Sequence, residues 1–233
     1  MKNPDYQSAS AAAKVADADV TLDLSGALYI PDAEALLVSD LHFEKASSFA
    51  RRGYFVPPYD TGVTLTALES VVRAYAPKMV ICLGDSFHDP FCAERLQPDS
   101  IARFGALAKG RDWVWVTGNH DPEIPPMLAG DRVEEVCIGP LSLRHIPQLG
   151  PAGQGEVAGH LHPVGRILRR GRMVRRPCFA TDGNRLIMPA FGALTGGLHL
   201  GNPAFRGLFD VSSLTAWMIG ADQLHAVPAQ GLC

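Results

Sequence analysis

No apolar run in this chain is long enough to cross a bilayer, and Met1 to Asp19 has no apolar core of the signal-peptide kind. Both absences point to a cytoplasmic protein with no membrane role. Neither sign of charge dominates: 21 Lys and Arg stand against 24 Asp and Glu, a formal net charge of −3. There is no global basic field, so any nucleic-acid contact has to come from a local patch. The five cysteines, Cys82, Cys92, Cys137, Cys178 and Cys233, are odd in number, scattered, and form no C-x-x-C pair. That argues against a disulfide framework and for a reducing compartment. Internal repeats and Pro/Gly-rich linkers are also missing. We therefore expect one domain over residues 19–233, preceded by a flexible tail at 1–18.

What is present is the composition of an ordinary globular protein, with 47% hydrophobic and 19% charged residues in 233. Val20 to Leu24 and Ala27 to Ile30 read as a hairpin turning at Ser25-Gly26. Ala35 to Val38, Met79 to Leu83 and Trp113 to Val116 are short continuous apolar runs, the pattern of strands buried on both faces. Thr61 to Tyr75 carries Leu65, Leu68, Val71, Val72 and Tyr75 at helical spacing, with Asp60 placed to cap it and Pro77 to stop it. A second helix is expected near Asp99 to Ala108, and Phe43 to Tyr59 reads mostly as a surface loop. Alternating strands and helices predict a parallel sheet with ligands at the carboxyl ends of its strands. The second half holds short strand-like pieces at 133–138, 141–144, 156–158, 165–168, 173–175, 185–188, 205–211 and 214–219. They predict an antiparallel sheet packed beside the first.

Polar clusters follow the apolar runs. In order they are Asp40-x-His42, Gly84-Asp85, Gly118-Asn119-His120-Asp121, His145 and His160-x-His162. Singly, each has an ordinary explanation as a turn, a helix cap or a half-buried histidine. Together they supply the mixed oxygen and imidazole ligands of a two-metal site, with Asp85 as the natural bridge. In an extended segment, residues two apart face the same way, which accounts for the D-x-H and H-x-H spacing. With no thiolate in the set, Mn²⁺, Fe²⁺ and Zn²⁺ all suit it.

As a set these motifs resemble the calcineurin-like metallophosphoesterases. That resemblance implies a metallophosphoesterase four-layer α/β/β/α sandwich, two packed mixed sheets flanked by helices. It also implies one metal held by Asp40, His42, Asp85 and His162, and a second held by Asp85, Asn119, His145 and His160. Further stretches are similar to the ligase-associated DNA damage response endonuclease branch of that family. These are Leu41 to Gly53, Pro57 to Thr61, Gly159 to Pro163, Arg176 to Phe179 and Pro189 to Gly197. The branch implies a manganese-dependent phosphodiesterase acting on DNA, associated in bacterial repair with a ligase and a helicase.

The expected chemistry is in-line attack on phosphorus by water deprotonated between two ions. His120, oriented by Asp121, would stabilise the developing charge or protonate the leaving group, with His88 as a second such group. Arg51 and Arg52 near the first motif, and Arg169, Arg170 and Arg172 in the basic stretch after His162, are the candidate contacts to a DNA backbone. A solvated basic hairpin is the ordinary alternative for that stretch. Two other functions compete. A small cyclic or monoester nucleotide would use the same chemistry. A scaffold that had lost catalysis would be expected to show a broken ligand set, and this one is intact.

Overall fold

Alternation along short strands builds both faces of the first sheet at once. The computed structural model describes residues 9–121, 123–150 and 152–233. The chain runs β1 (Ser10–Val15), β2 (Ala18–Asp23), β3 (Leu28–Ile30), β4 (Ala35–Val38), α1 (Lys45–Arg51), α2 (Asp60–Tyr75), β5 (Met79–Leu83), α3 (Pro98–Ala108), β6 (Asp112–Val116) and β7 (Asp131–Val133). These seven strands pair in sequence order. The pairings from β1 through β4 are antiparallel, and those from β4 through β7 are parallel. Leu36, Val38, Val80, Cys82, Trp113 and Trp115 point to one face, where Leu65, Leu68 and Val72 of α2 and Phe104 and Leu107 of α3 cover them. Leu37, Ile81, Leu83, Val114 and Val116 point to the other face, against the second sheet. A strand with two covered faces has no reason to alternate polar residues, hence the unbroken apolar runs.

The second sheet comprises β8 (Glu135–Ile138), β9 (Leu141–Arg144), β10 (Gly155–Ala158), β11 (Pro163–Arg169), β12 (Arg172–Thr181), β13 (Arg185–Ile187), β14 (Leu198–His199), β15 (Thr215–Ile219) and β16 (Leu224–Pro228). It is mixed rather than antiparallel, because β9–β10, β10–β13 and β11–β14 are parallel pairs. Because β9 and β10 pair in parallel, they finish at the same end of the sheet. His145 and His160 therefore leave β9 and β10 on one side of the sheet. Leu141, Leu143, Val157, Phe179 and Leu186 close the core between the two sheets. The outer face is covered by the turn-rich segment around Leu200 to Phe209, with Phe205 and Leu208 packed on Leu161 and Ile187. Among the described residues no α-helix lies there. The sandwich is the expected one, with its last layer irregular.

Several expectations need correction. Residues 10–18 are not tail: Ser10–Val15 is an edge strand whose inward residues are Ala11, Ala13 and Val15, side chains too small to write a clear period. Residues 1–8 lie outside those described. The stretch 43–59 is not all loop, since Lys45–Arg51 is helical although only Ala46 and Ser48 are buried on it. It starts where Glu44 accepts from Thr61 Oγ1 and Ser47 Oγ, and where Asp60 Oδ2 accepts from the Ala46 amide. Asp60 thus caps α1, while Tyr59 occupies the N-cap position of α2. Residues 133–138 divide between the two sheets. Residues 205–211 form turns after a 3-10 segment at Pro203–Phe205, with Asp210 accepting from the Ser212 amide at 2.9 Å. Among the described residues no helix is long and apolar enough to cross a membrane.

Leu68 is fully buried on α2 and Val63, on the same helix, is 54% exposed. Leu68→Ala is expected to cost about 2–5 kcal/mol, and Val63→Ala under about 1 kcal/mol. Urea denaturation of the two variants checks the difference.

Candidate metal centre

The ends of β4, β5, β6, β9 and β10 deliver the polar clusters to one place. Ser39 and Asp40 follow β4, Gly84 and Asp85 follow β5, and residues 117–121 follow β6, while His145 and His160 come across from the second sheet. The backbone bends sharply there. Asp40, His42, Asp85, His160 and His162 all have φ between +44° and +69°. Left-handed backbone, not the extended alternation expected, is what aims Asp40 with His42 and His160 with His162. For residues with a Cβ this costs on the order of 1–3 kcal/mol each, a strain found where a site demands it.

Two groups of side chains converge: Asp40 with His42 and His162, and Asp85 with His145 and His160. Asp40 is fully buried. Its Oδ2 accepts from Ser39 Oγ and from the His160 amide at 3.0 Å. Its Oδ1 stands 3.0 Å from His162 Nε2, yet neither atom makes a hydrogen bond. His162 Nδ1–H donates to the Gly196 carbonyl at 3.1 Å, which leaves Nε2 with a lone pair facing Asp40. The second group repeats the logic. His145 Nδ1–H donates to the Leu83 carbonyl at 3.0 Å, and its Nε2 faces Asn119 Oδ1 at 3.1 Å, His160 Nδ1 at 3.2 Å and Asp85 Oδ1 at 3.3 Å. Asp85 Oδ2 lies 3.9 Å from His42 Nε2, so this carboxylate stands between the groups.

Carboxylate oxygens and imidazole nitrogens crowded together in this way are satisfied by positive charge, either a proton on an imidazole or a metal ion. Two rings can hold a proton in the place of a metal: burial works against the His162 imidazolium, but the Asp40 carboxylate outweighs it and raises its pKa. Burial works against the His145 imidazolium, but the Asp85 and Asp40 carboxylates outweigh it and hold its pKa up at about 9. Burial lowers His42 to about 3, against the pull of Asp40 and Asp85, so that ring is neutral as a ligand must be. The donor set fits two divalent ions. Two glycines let the walls close: a Cβ on Gly159 would strike Ser39 Oγ, and one on Gly118 would strike Asp85. The missing Cβ of Gly118 makes room for the backbone and carboxylate of Asp85.

Residues 34–166 match the calcineurin-like phosphoesterase family. The chain belongs to it. Among solved structures, the Pseudomonas putida nuclease MPE is 29% identical, with 94% of this chain and 100% of that one covered and a TM-score of 0.72. The phosphoesterase Yfce from E. coli is a more distant likeness, 18% identical, covering 84% of this chain and 98% of that one at a TM-score of 0.42. No curated protein matches the chain. The chain is a metal-dependent phosphodiester hydrolase.

Other candidate residues of this phosphoesterase fall on both sides of the line. His120 lies beside the second group, its Nε2 3.9 Å from Asp85 Oδ2. Its orientation comes from His88, not from Asp121. His120 Nδ1–H donates to the His88 carbonyl at 3.0 Å, and the two rings stack at 5.4 Å and 18°. Asp121 is fully buried and accepts from four backbone amides, those of Asp85, Ser86, Phe87 and Gly118. Burial pushes its pKa up to about 7, against those amides. It ties the loop after β5 to the loop after β6. His88 is buried with Nδ1 unpartnered, and burial, with Lys45 and His120 nearby, lowers it to about 4.

The arginines divide. Arg52 lines the open cleft over the two groups together with Lys45, Phe49 and His88. Arg51 turns away, pairing with Glu94 at 3.6 Å and stacking over Phe91. Arg169, Arg170 and Arg172 occupy the tip of the β11–β12 hairpin. Seven residues of strand put that tip roughly 20 Å from His162, so they do not join the site. Sequence reasoning passed over Lys45, whose only signal was a cation three residues after His42. The carbonyls of Leu83, Gly196 and His88 carry no side-chain signal at all.

Asp121→Asn replaces a four-amide acceptor with a group that also presents NH₂ to amides. It is expected to cost about 1–3 kcal/mol or more, read by denaturation in the presence of a chelator. A residue that merely oriented His120 would leave metal-free stability unchanged.

Proposed function

We propose that this enzyme is a manganese-dependent endonuclease that cuts single-stranded or flexible DNA in bacterial repair. The observation that carries the reading is the open cleft over the two groups, with Lys45 and Arg52 on its wall. Such a cleft admits a chain whose ends lie far from the scissile bond. The nuclease likeness over almost the whole chain supports it.

Asp40, His42 and His162 would hold one ion, Asn119, His145 and His160 the other, and Asp85 both. Two divalent ions bound there polarise phosphoryl oxygens and bring the pKa of water toward neutrality. The chain's own groups do the rest. Lys45 and Arg52 draw the phosphodiester into the cleft. The His88 carbonyl accepts from Nδ1–H and turns Nε2 of His120 toward the cleft; as an imidazolium the ring would present an Nε2–H there to stabilise charge or pass a proton to the leaving oxygen. The stacked His88 ring keeps that imidazole from turning. Oxygen and imidazole donors without thiolate suit Mn²⁺, Fe²⁺ or Zn²⁺, and the resemblance of Leu41 to Gly53 and of Pro189 to Gly197 favours manganese. The same resemblance supports a cytoplasmic setting beside a DNA ligase and a helicase.

Circular single-stranded DNA is expected to be cut by the wild type with Mn²⁺, and by neither the chelated enzyme nor Asp85→Ala. Preference for a cyclic or monoester nucleotide over DNA would overturn the reading. His120→Ala is expected to retain its metal by elemental analysis while kcat falls by about 10²–10⁴-fold.

A further inference from the structure

Two stretches that carry no ligand, Arg176-Pro177 and Pro189 to Gly197, meet beside the site. Together with Pro163 and Val164 they line a small pocket that shares the His162 wall of the metal centre. The pocket is bounded by Arg175, Thr195, Gly196 and Gly197. Arg175 Nη2 donates to the Gly197 carbonyl at 2.6 Å. That contact docks the guanidinium at the pocket with its remaining N–H donors uncommitted to the loop. Thr195 Oγ1–H donates to the Gly192 carbonyl at 2.8 Å, which braces the loop from the other side. The loop also packs closely on the His162 backbone. A Cβ on Gly197 would strike the His162 carbonyl, and the Leu198 amide donates to that same carbonyl at 3.1 Å. The neighbouring Gly196 carbonyl sets the tautomer of His162. One loop therefore orients a metal-group histidine and anchors an arginine at once.

A fixed guanidinium in a concave pocket next to a phosphoryl-transfer site has the chemistry of an oxyanion receptor. We propose that Arg175 and the Thr195–Gly197 loop form a subsite for the backbone phosphate that flanks the scissile one. It rests on the reading of the enzyme as a DNA endonuclease and sharpens it. A substrate filling both places must be a polynucleotide, and a small diester or monoester fills only the first. On β12, Arg175 and Pro177 share one face by alternation, whereas Arg176, which also borders the pocket, lines a groove with Ile167, Val174 and Met218. The claim is therefore specific to Arg175.

The test compares Arg175→Gln with wild type on two substrates, single-stranded DNA and bis(p-nitrophenyl) phosphate, which has no flanking phosphate. The ratio of DNA kcat/KM to small-diester kcat/KM is expected to fall about tenfold or more, the loss of one charge-assisted contact. The salt slope of DNA binding should become shallower by about 0.7. A DNA carrying a neutral methylphosphonate at one phosphate next to the cut should be impaired with wild type. It should be no worse than ordinary DNA with Arg175→Gln. An equal fall on both substrates would mean that Arg175 acts through the loop and His162, and would overturn the subsite. So would an unchanged ratio. Wild type that cleaves the small diester but no DNA would instead defeat the endonuclease reading, a distinct result.

Discussion

Two buried carboxylates, Asp40 and Asp85, constrain everything around them. Each commits one oxygen to the fold through a backbone amide, of His160 for Asp40 and of His120 for Asp85. The other oxygen faces imidazole nitrogens, and in Asp85 the amide-bonded oxygen also stands 3.3 Å from His145 Nε2. Buried charge is costly unless it is paired, and the pairing here comes from groups that are themselves acceptors once their tautomers are set. The arrangement is stable as a receptacle for cations. A proton on His145 and a divalent ion compete for the same place.

The backbone sets those tautomers. His145, His162 and His120 each give Nδ1–H to a main-chain carbonyl, of Leu83, Gly196 and His88. Each is left with Nε2 toward the site. Leu83 is the last residue of a central strand with neighbours on both sides, so the position of His145 is inherited from the sheet. Asp121 does the same for the loops, gathering four amides so that Asp85 and residues 118–120 move as one piece. The left-handed residues at 40, 42, 85, 160 and 162 would not hold alone. They are held because cores on both faces of β4, β5 and β6 fix the strand ends.

This division explains what the sequence could disclose. The runs 35–38, 79–83 and 113–116 are legible because a strand covered on both faces needs unbroken apolar residues. Asp40, His42, Asp85, His145, His160 and His162 are legible because ligand chemistry limits side-chain types. Ser10–Val15 was missed because alanine buries too little to write a period. Lys45–Arg51 was missed because its start is fixed by Asp60 and Thr61, distant in the chain. The role first given to Asp121 failed for a related reason. Adjacency to His120 suggests an orienting carboxylate, yet the side chain turns inward to amides that no sequence pattern marks. Arg169, Arg170 and Arg172 show the converse error, since closeness in sequence to His162 is undone by a strand that carries them outward.

Local charge shows how a chain with a formal net charge of −3 could attract the polyanion proposed as its substrate. The two ligand groups contain just two carboxylates, Asp40 and Asp85, the rest being imidazoles, neutral when they act as ligands, and, with Asn119, an amide oxygen. Two divalent ions bound there would leave a local excess of two positive charges, and Lys45 and Arg52 on the cleft wall add two more. At physiological ionic strength the Debye length is about 8 Å, so a phosphate in the cleft responds to this local excess and little to the acidic surface beyond. A thiolate or carboxylate in place of any histidine would cancel part of that excess. An imidazole-rich site is therefore suited to a substrate that is itself anionic.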